Sequence, residues 1–419
     1  MTKHPDAVSG IGDQDNVPPN ALQIFMNMWG YDPETTRFRS LLLFECASNV
    51  FRGLLEDIGP AGTLTAIKPY GNIYGRNIGN MAKEMGMSPG NDVISVAMPY
   101  YSGVYATSEG KIKPMEIRDG KAVVELYACP TKEVGSPPEL CAMSHFNAEG
   151  ICQVINPDYE YIFTHHLNSG DDCCRFIVKK RSSKLKSKGA EPKTLPFLSM
   201  FNKPVDVDTE QLGALERTIP YNVPQYLNDM TSLVIGVNYF NLFTTASVAT
   251  IGSQRTTELG EPLARNTGIK LGAKWKEDSG GLADLEFAKQ KLSFLQTILN
   301  QKGKPAIISD SSIEREIIDC PFKGSLPEQC KHIEGVFSGI CEAINPDFEF
   351  AYDRMMSKGD STCHWVVKKK EASATSELMQ KAQIDEPERI LSIRMAKGEL
   401  SEEEYDRKMV LLRKHKAVM

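Results

Sequence analysis

The chain carries one segment twice, and this repeat constrains its fold more than any other feature. Residues 150–180 read GICQVINPDYEYIFTHHLNSGDDCCRFIVKK and residues 339–369 read GICEAINPDFEFAYDRMMSKGDSTCHWVVKK, and 14 of these 31 positions are identical without a gap. A weaker upstream match pairs residues 76–79 with 265–268, both reading Arg-Asn-x-Gly. Copies of roughly 150 residues are domains and not solenoid repeats. We therefore predict two divergent copies of one module.

The domain boundaries follow from this repeat. We predict a disordered tail at 1–20, a first module at 21–180, a linker at 181–196, a second module at 197–370 and a helical hairpin at 386–415. The tail lacks the apolar core of a signal peptide. The linker is rich in Lys, Ser and Pro, which is typical of an exposed segment.

Each copy is predicted to contain helices followed by a small antiparallel sheet, an α+β (mixed α/β) fold. Residues 38–57 and 239–258 have apolar spacing compatible with helices. Gly71, Gly75 and Gly79 recur every four residues, so on a helix they form one smooth face that another backbone can approach closely.

The sequence also predicts the order of the later elements, which is the same in both copies. A strand is predicted at Ala122–Cys129, and at Ile313–Cys320 in copy two. A helix follows each strand and is broken by Asn-Pro-Asp, and a hairpin then turns at Gly170, or at Gly359 in copy two. Two such copies suit a pseudo-symmetric intramolecular dimer.

Composition excludes some classes of function. The formal charge is −6, from 48 basic and 54 acidic residues, so we expect no broad nucleic-acid binding. We find no run of 18 apolar residues and expect no membrane-spanning helix. A cytoplasmic location is predicted, in which the ten cysteines stay reduced.

Four cysteine positions recur in both copies: Cys129/Cys320, Cys141/Cys330, Cys152/Cys341 and Cys174/Cys363. On a continuous helix, eleven residues separate Cys141 from Cys152 by about 16 Å at 1.5 Å per residue, too far for one zinc ion to bind both. The remaining candidate metal ligands are Cys129, Cys141 and Cys174, with Cys320, Cys330 and Cys363 in copy two. Cys141 lies in the first turn of its helix, where the dipole lowers a thiol pKa. The alternatives are buried apolar cysteines and a redox switch.

The pattern Gly-Asp-x-x-Cys followed by an aromatic residue closes both copies. Together with the early helical cysteine, it resembles vinyl-4-reductase-type domains and the L-2-amino-thiazoline-4-carboxylic acid hydrolase family. The resemblance implies an α/β ligand pocket for a small hydrophobic or aromatic molecule. Some vinyl-4-reductase-type sensors hold zinc here with cysteines and a glutamate. Eight residues before the last cysteine this chain has His166 and Met355, and methionine is a poor zinc ligand.

The C-terminal sequence ILSIRMAKGELSEEEYDRKMVLLRK, residues 390–414, resembles a SHOCT module. Gly398 suits a helix C-cap, and Ser401 with Glu404 forms a capping box for a second helix. The resemblance implies an interaction or self-association element, and a simple capping hairpin is the alternative.

Three functions follow from these observations. The first is a ligand-binding or sensing protein whose pockets lie near Arg76-Asn77 and Arg265-Asn266, where the arginine would anchor a carboxylate of a mostly apolar ligand. The second is a hydrolase of a cyclic amidine or amide, as the resemblance implies, with Cys141 and Cys174, or Cys330 and Cys363, as candidate catalytic residues. The third is a scaffold without a ligand.

Overall fold

A computed structural model describes residues 31–181, 212–221, 223–370 and the single residue 404. The predicted tail (1–20) lies outside these residues. So do the linker (181–196) apart from its first residue, and the hairpin (386–415) apart from Glu404.

Both copies begin with helices, continue with strands and then a helical segment, and end with two strands. Copy one contains α1 (Pro33–Glu84), α2 (Val93–Thr107), β1 (Met115–Arg118), β2 (Lys121–Leu126), α3 (Pro130–Glu133), α4 (Ala142–Ile155), β3 (Tyr159–His165) and β4 (Cys174–Lys180). A strand β5 (Leu215–Ile219) follows. Copy two contains α5 (Gln225–Ile251), α6 (Ser253–Asp278), α7 (Leu285–Ile298), β6 (Lys302–Gly303), β7 (Ile307–Ile308), β8 (Ser312–Asp319), α8 (Pro327–Ile344), β9 (Phe348–Arg354) and β10 (Cys363–Lys369).

Both sheets confirm the predicted α+β class. Sheet one has the strand order β3-β4-β2-β1-β5, and sheet two has β9-β10-β8-β6 with β7 beside β8. The paired strands for which a register is resolved are antiparallel. The predicted strands at 122–129 and 313–320 are β2 and β8, although each ends one to three residues earlier. β5 was not predicted; it comes from the segment assigned to copy two and pairs with β1 of copy one.

Glycine breaks the first long helix of each copy at the same place. Gly59 has φ 68° and ψ 174° within α1, and Gly252 has φ 84° and ψ 162° between α5 and α6. Residues with side chains rarely adopt such angles, so glycine is favoured at both turns. The helix predicted at 239–258 is therefore wrong in one respect, because it runs across Gly252.

The copies meet through a parallel pair formed by α5 and the first half of α1. The hydroxyl oxygens of Ser40 and Ser232 are 2.8 Å apart, and the ring centroids of Phe51 and Phe243 are 5.4 Å apart. Aligning Gly59 with Gly252 shifts copy two by 193 residues relative to copy one. By this alignment, Ser40 and Phe51 each contact the residue that immediately precedes their own counterpart in copy two. This is the contact pattern of a two-fold symmetric pair, and it builds one continuous hydrophobic core across both copies.

Helix α5 corrects one expectation. By length and composition alone it is apolar enough to cross a membrane, although no segment was expected to qualify. In the fold it packs along α1, and Leu233, Phe240 and Phe243 on it are fully buried.

The predicted glycine face is confirmed and explains how the second half of α1 meets α4. A Cβ placed on Gly75 would lie 2.0 Å from the carbonyl oxygen of Asn147, and one placed on Gly150 would lie 2.3 Å from that of Asn72. In copy two, Gly268 meets the Val336 carbonyl at 2.0 Å in the same way. The two helices are thus in backbone-to-backbone contact, which only glycine permits.

These contacts correct the upstream alignment of the repeat. Asn147 and Val336 are counterparts, so Gly75 corresponds to Gly268 and not to Ala264. The match of residues 76–79 with 265–268 is one helical turn out of register. Because glycine recurs every four residues in copy one, a shift of one turn still aligned a glycine with a glycine.

We predict that Gly75→Ala and Gly268→Ala each destabilise the protein by about 2 kcal/mol or more, because the added methyl group overlaps a main-chain carbonyl and the helices must separate. Chemical denaturation of each variant measures the loss. Gly324→Ala is the control, since a Cβ there meets nothing within 4 Å. Equal stability of all three variants would contradict the proposed backbone contact.

Candidate functional site

Copy one contains a largely apolar cavity of about 100 Å³. It lies between α1, α2, α4 and sheet one, and α5 of copy two closes one side. Its aromatic lining consists of Phe44, Tyr74, Tyr100, Phe163, Phe176 and Tyr239. A dry cavity of roughly 150 Å³ in another protein accepts benzene, so this cavity has the scale of a single small ring.

Three of the predicted cysteines line this cavity. Cys129 follows β2, Cys141 precedes α4, and Cys174 begins β4. The antiparallel pairing of β2 with β4 places Leu126 opposite Cys174, which brings the end of one strand beside the start of the other. Three cysteines that sequence analysis named as candidate ligands therefore line one cavity.

In the part of the chain that the structure describes, the cysteines are not grouped as a metal centre. Within the described ranges, no three or more His, Cys, Asp or Glu side chains are arranged to hold a metal ion. The candidate zinc ligands of both copies are thus not supported. The sulfurs have local partners instead: Cys129 Sγ lies 2.9 Å from Thr131 Oγ1, and Cys320 Sγ accepts from the Phe322 amide at 3.4 Å.

The predicted activation of Cys141 by its helix is wrong. Burial raises the pKa of the Cys141 thiol well above its usual value, and the nearby Cys129 and Cys174 raise it further. Burial also raises the pKa of Cys174 to about 12 and that of Cys330 to about 11. The penalty of burying a thiolate exceeds the benefit of the helix terminus, so these thiols are protonated at neutral pH.

The Gly-Asp-x-x-Cys signature is a device for closing a turn. Gly170 adopts φ 99°, Asp171 Oδ2 accepts from the His166 amide at 2.6 Å, and Cys174 Sγ accepts from the Leu167 amide at 3.2 Å. Copy two repeats the arrangement, since Asp360 accepts from the Met355 amide at 2.7 Å and Cys363 from the Met356 amide at 3.2 Å. The similarity of the two copies in this segment therefore has a structural cause.

The predicted ligand anchors lie elsewhere. Arg76, Asn77, Arg265 and Asn266 are exposed on α1 and α6 and do not line the cavity. Arg76 donates to Gln153 Oε1 at 3.2 Å, and Arg265 is paired with Glu342 at 2.6 Å. The structure does not support the expectation that arginine anchors a ligand in an apolar pocket, because both side chains are exposed and pair with residues of α4 or α8.

Two buried polar residues line the cavity: Asn147, which sequence analysis missed, and His166, which it named only at the position of a zinc ligand. Asn147 is 2% exposed; its Nδ2 donates to the Tyr239 hydroxyl at 3.1 Å, while its Oδ1 has no hydrogen-bond partner among the described residues. His166 Nε2 is also buried without such a partner there. Burial lowers the pKa of His166, so its imidazole is neutral at pH 7. A ligand or a water molecule can supply the partner that such a buried polar atom needs.

Copy two has apolar side chains at these positions. Asn147 corresponds to Val336 and His166 to Met355, which is 3% exposed. Phe176 corresponds to the larger Trp365, which is fully buried. The rings of Phe337 and Phe350 stack at 5.2 Å, and Trp365 packs on Phe350 at 5.6 Å. The sequence shows that copy two has apolar residues where copy one has Asn147 and His166. It does not show that these positions lie at a cavity.

Comparison with known proteins gives no relative: no family model, no curated protein and no solved structure matches this chain.

We predict that Cys174, Cys320 and Cys330 in the folded protein react with iodoacetamide at pH 8 at least a hundredfold more slowly than in the denatured protein. Only the thiolate reacts, and a pKa of about 11 or 12 leaves a very small fraction ionised. Mass spectrometry of labelled peptides, with the protein in guanidinium as reference, measures the rates. Equal rates in the two states would show an activated thiol.

Proposed function

We propose that this protein binds a small, neutral, mostly apolar molecule in the cavity of copy one, and that copy two serves as its structural partner. The observation that carries this proposal is that two residues lining the cavity have a buried polar atom without a partner among the described residues, namely Asn147 Oδ1 and His166 Nε2. An apolar cavity with a few convergent polar groups is the usual form of a ligand site. The resemblance of the closing signature to vinyl-4-reductase-type domains supports the same function.

The charge of the lining favours a neutral ligand. The cavity is lined by no Lys, Arg, Asp or Glu among the described residues, and Arg76 lies outside it. A carboxylate transferred into such a site would lose its hydration without gaining a counter-ion, which is strongly unfavourable. We therefore replace the expected apolar carboxylate ligand by an uncharged ring compound.

Binding is favoured over hydrolysis for a related reason. A hydrolase working through Cys141 and Cys174 would need a thiolate or a base that activates the thiol, and burial keeps the pKa of both thiols high. The corresponding Cys330 and Cys363 have no His166 equivalent beside them. The cytoplasmic location and the interaction role of residues 386–415 stay predictions from the sequence.

We predict that toluene and aniline bind to the purified protein and that benzoate does not. Isothermal titration calorimetry measures each affinity, and native mass spectrometry of the protein before addition detects any ligand retained from the cell. We expect Asn147→Val to weaken aniline binding about tenfold, since a hydrogen bond of ordinary strength is lost. His166→Met replaces the histidine by the residue found at Met355 in copy two, and it tests the contribution of His166 Nε2.

The matched control is His332→Met. His332 is a buried histidine of copy two (4% exposed) whose counterpart in copy one is Met143, and it does not line the cavity of copy one. We expect it to leave the affinity for both probes unchanged. If neither probe binds the unsubstituted protein, and no retained molecule is found, the protein is a scaffold and the proposal fails.

A further inference from the structure

We infer that the cavity of copy one selects a ring carrying an N–H or O–H donor, and that Tyr239, a residue of copy two, sets this preference by holding the side chain of Asn147. The inference rests on the proposed function and names the ligand class and a positioning residue of the same site.

In the structure, the hydrogen bond between the copies uses the donor end of the Asn147 carboxamide and leaves its acceptor end available. Its Nδ2 donates to the Tyr239 hydroxyl at 3.1 Å, so the end left without a partner among the described residues is the acceptor Oδ1. A buried acceptor in an apolar wall is satisfied only by a donor. A ligand with an N–H or O–H group supplies that donor, whereas a hydrocarbon or an acceptor-only ring does not.

The position of Tyr239 is itself determined by packing. Its ring meets Phe44 edge-on at 5.8 Å and Tyr74 edge-on at 6.1 Å, and it packs on Phe243 at 5.6 Å. These contacts hold the ring from α1 on one side and from its own helix α5 on the other. The hydroxyl therefore stays at the place where it meets Asn147, and the site of copy one is complete only when copy two is packed against it.

The selectivity of the cavity distinguishes this positioning role from simple packing. Tyr239→Phe removes the hydroxyl and retains the ring with its aromatic contacts. Two probe pairs of matched shape report on the site: aniline against toluene for a donor, and pyridine against benzene for an acceptor. Affinities are measured by isothermal titration calorimetry on the full chain.

We expect Tyr239→Phe to weaken aniline binding at least fivefold and to change toluene binding by less than twofold. In an Asn147→Val background the same substitution should have no further effect on aniline, because Tyr239 acts through Asn147. Tyr161→Phe is the control. Tyr161 is a buried tyrosine of copy one whose hydroxyl donates to the Val96 carbonyl, and it does not line the cavity, so the ratio of the aniline and toluene affinities should be unchanged.

Three results would overturn the inference. If Tyr239→Phe weakens aniline and toluene equally, the residue only shapes the cavity. If the unsubstituted protein prefers pyridine to benzene but shows no preference for aniline over toluene, the carboxamide presents its donor end. If no probe binds the unsubstituted protein, both the proposed function and this inference fail. If the probes bind but Tyr239→Phe leaves the ratio of the aniline and toluene affinities unchanged, only this inference is contradicted.

Discussion

The rest of the structure depends on the contact between two helix backbones at Gly75 and Gly150. Because neither position has a side chain, α4 approaches the second half of α1 until glycine meets main-chain carbonyl. This contact places Asn147 at the wall of the cavity and determines where the strands after α4 begin. Copy two repeats it with Gly268 and Gly339, so the same constraint acts in both copies.

The shared core explains how the two copies diverged without separating. Phe51 of copy one and Phe243 of copy two pack together in the parallel helix pair, and burying one such side chain is worth about 1.5–3 kcal/mol. Copy two can therefore carry Trp365 and Met355 where copy one has Phe176 and His166, and still be needed for stability. Copy one has the polar residues Asn147 and His166 at the corresponding positions, which are costly in a packed core and are consistent with a ligand in the cavity.

The cysteines illustrate how a recurring residue can indicate structure where chemistry was expected. Sequence analysis named Cys129, Cys141 and Cys174 as candidate site residues, and all three line one cavity. Their reactivity could not be predicted, because a thiol pKa depends on burial, and burial is a property of the packed fold. The recurrence of Cys174 and Cys363 has a simpler cause, since each sulfur accepts a main-chain hydrogen bond within its own turn.

The sequence by itself determined the duplication, the α+β class, the order of the later elements and the turn at each Gly-Asp. These are set by local patterns, namely hydrophobic spacing, proline breaks and glycine turns, which act over a few residues. Only the tertiary structure decided the register of α1 against α4, the addition of β5 to the first sheet, the outward direction of Arg76 and the joining of Asn147 with Tyr239. Each of these depends on contacts between residues far apart in the chain, where packing and burial select among arrangements that local patterns permit equally.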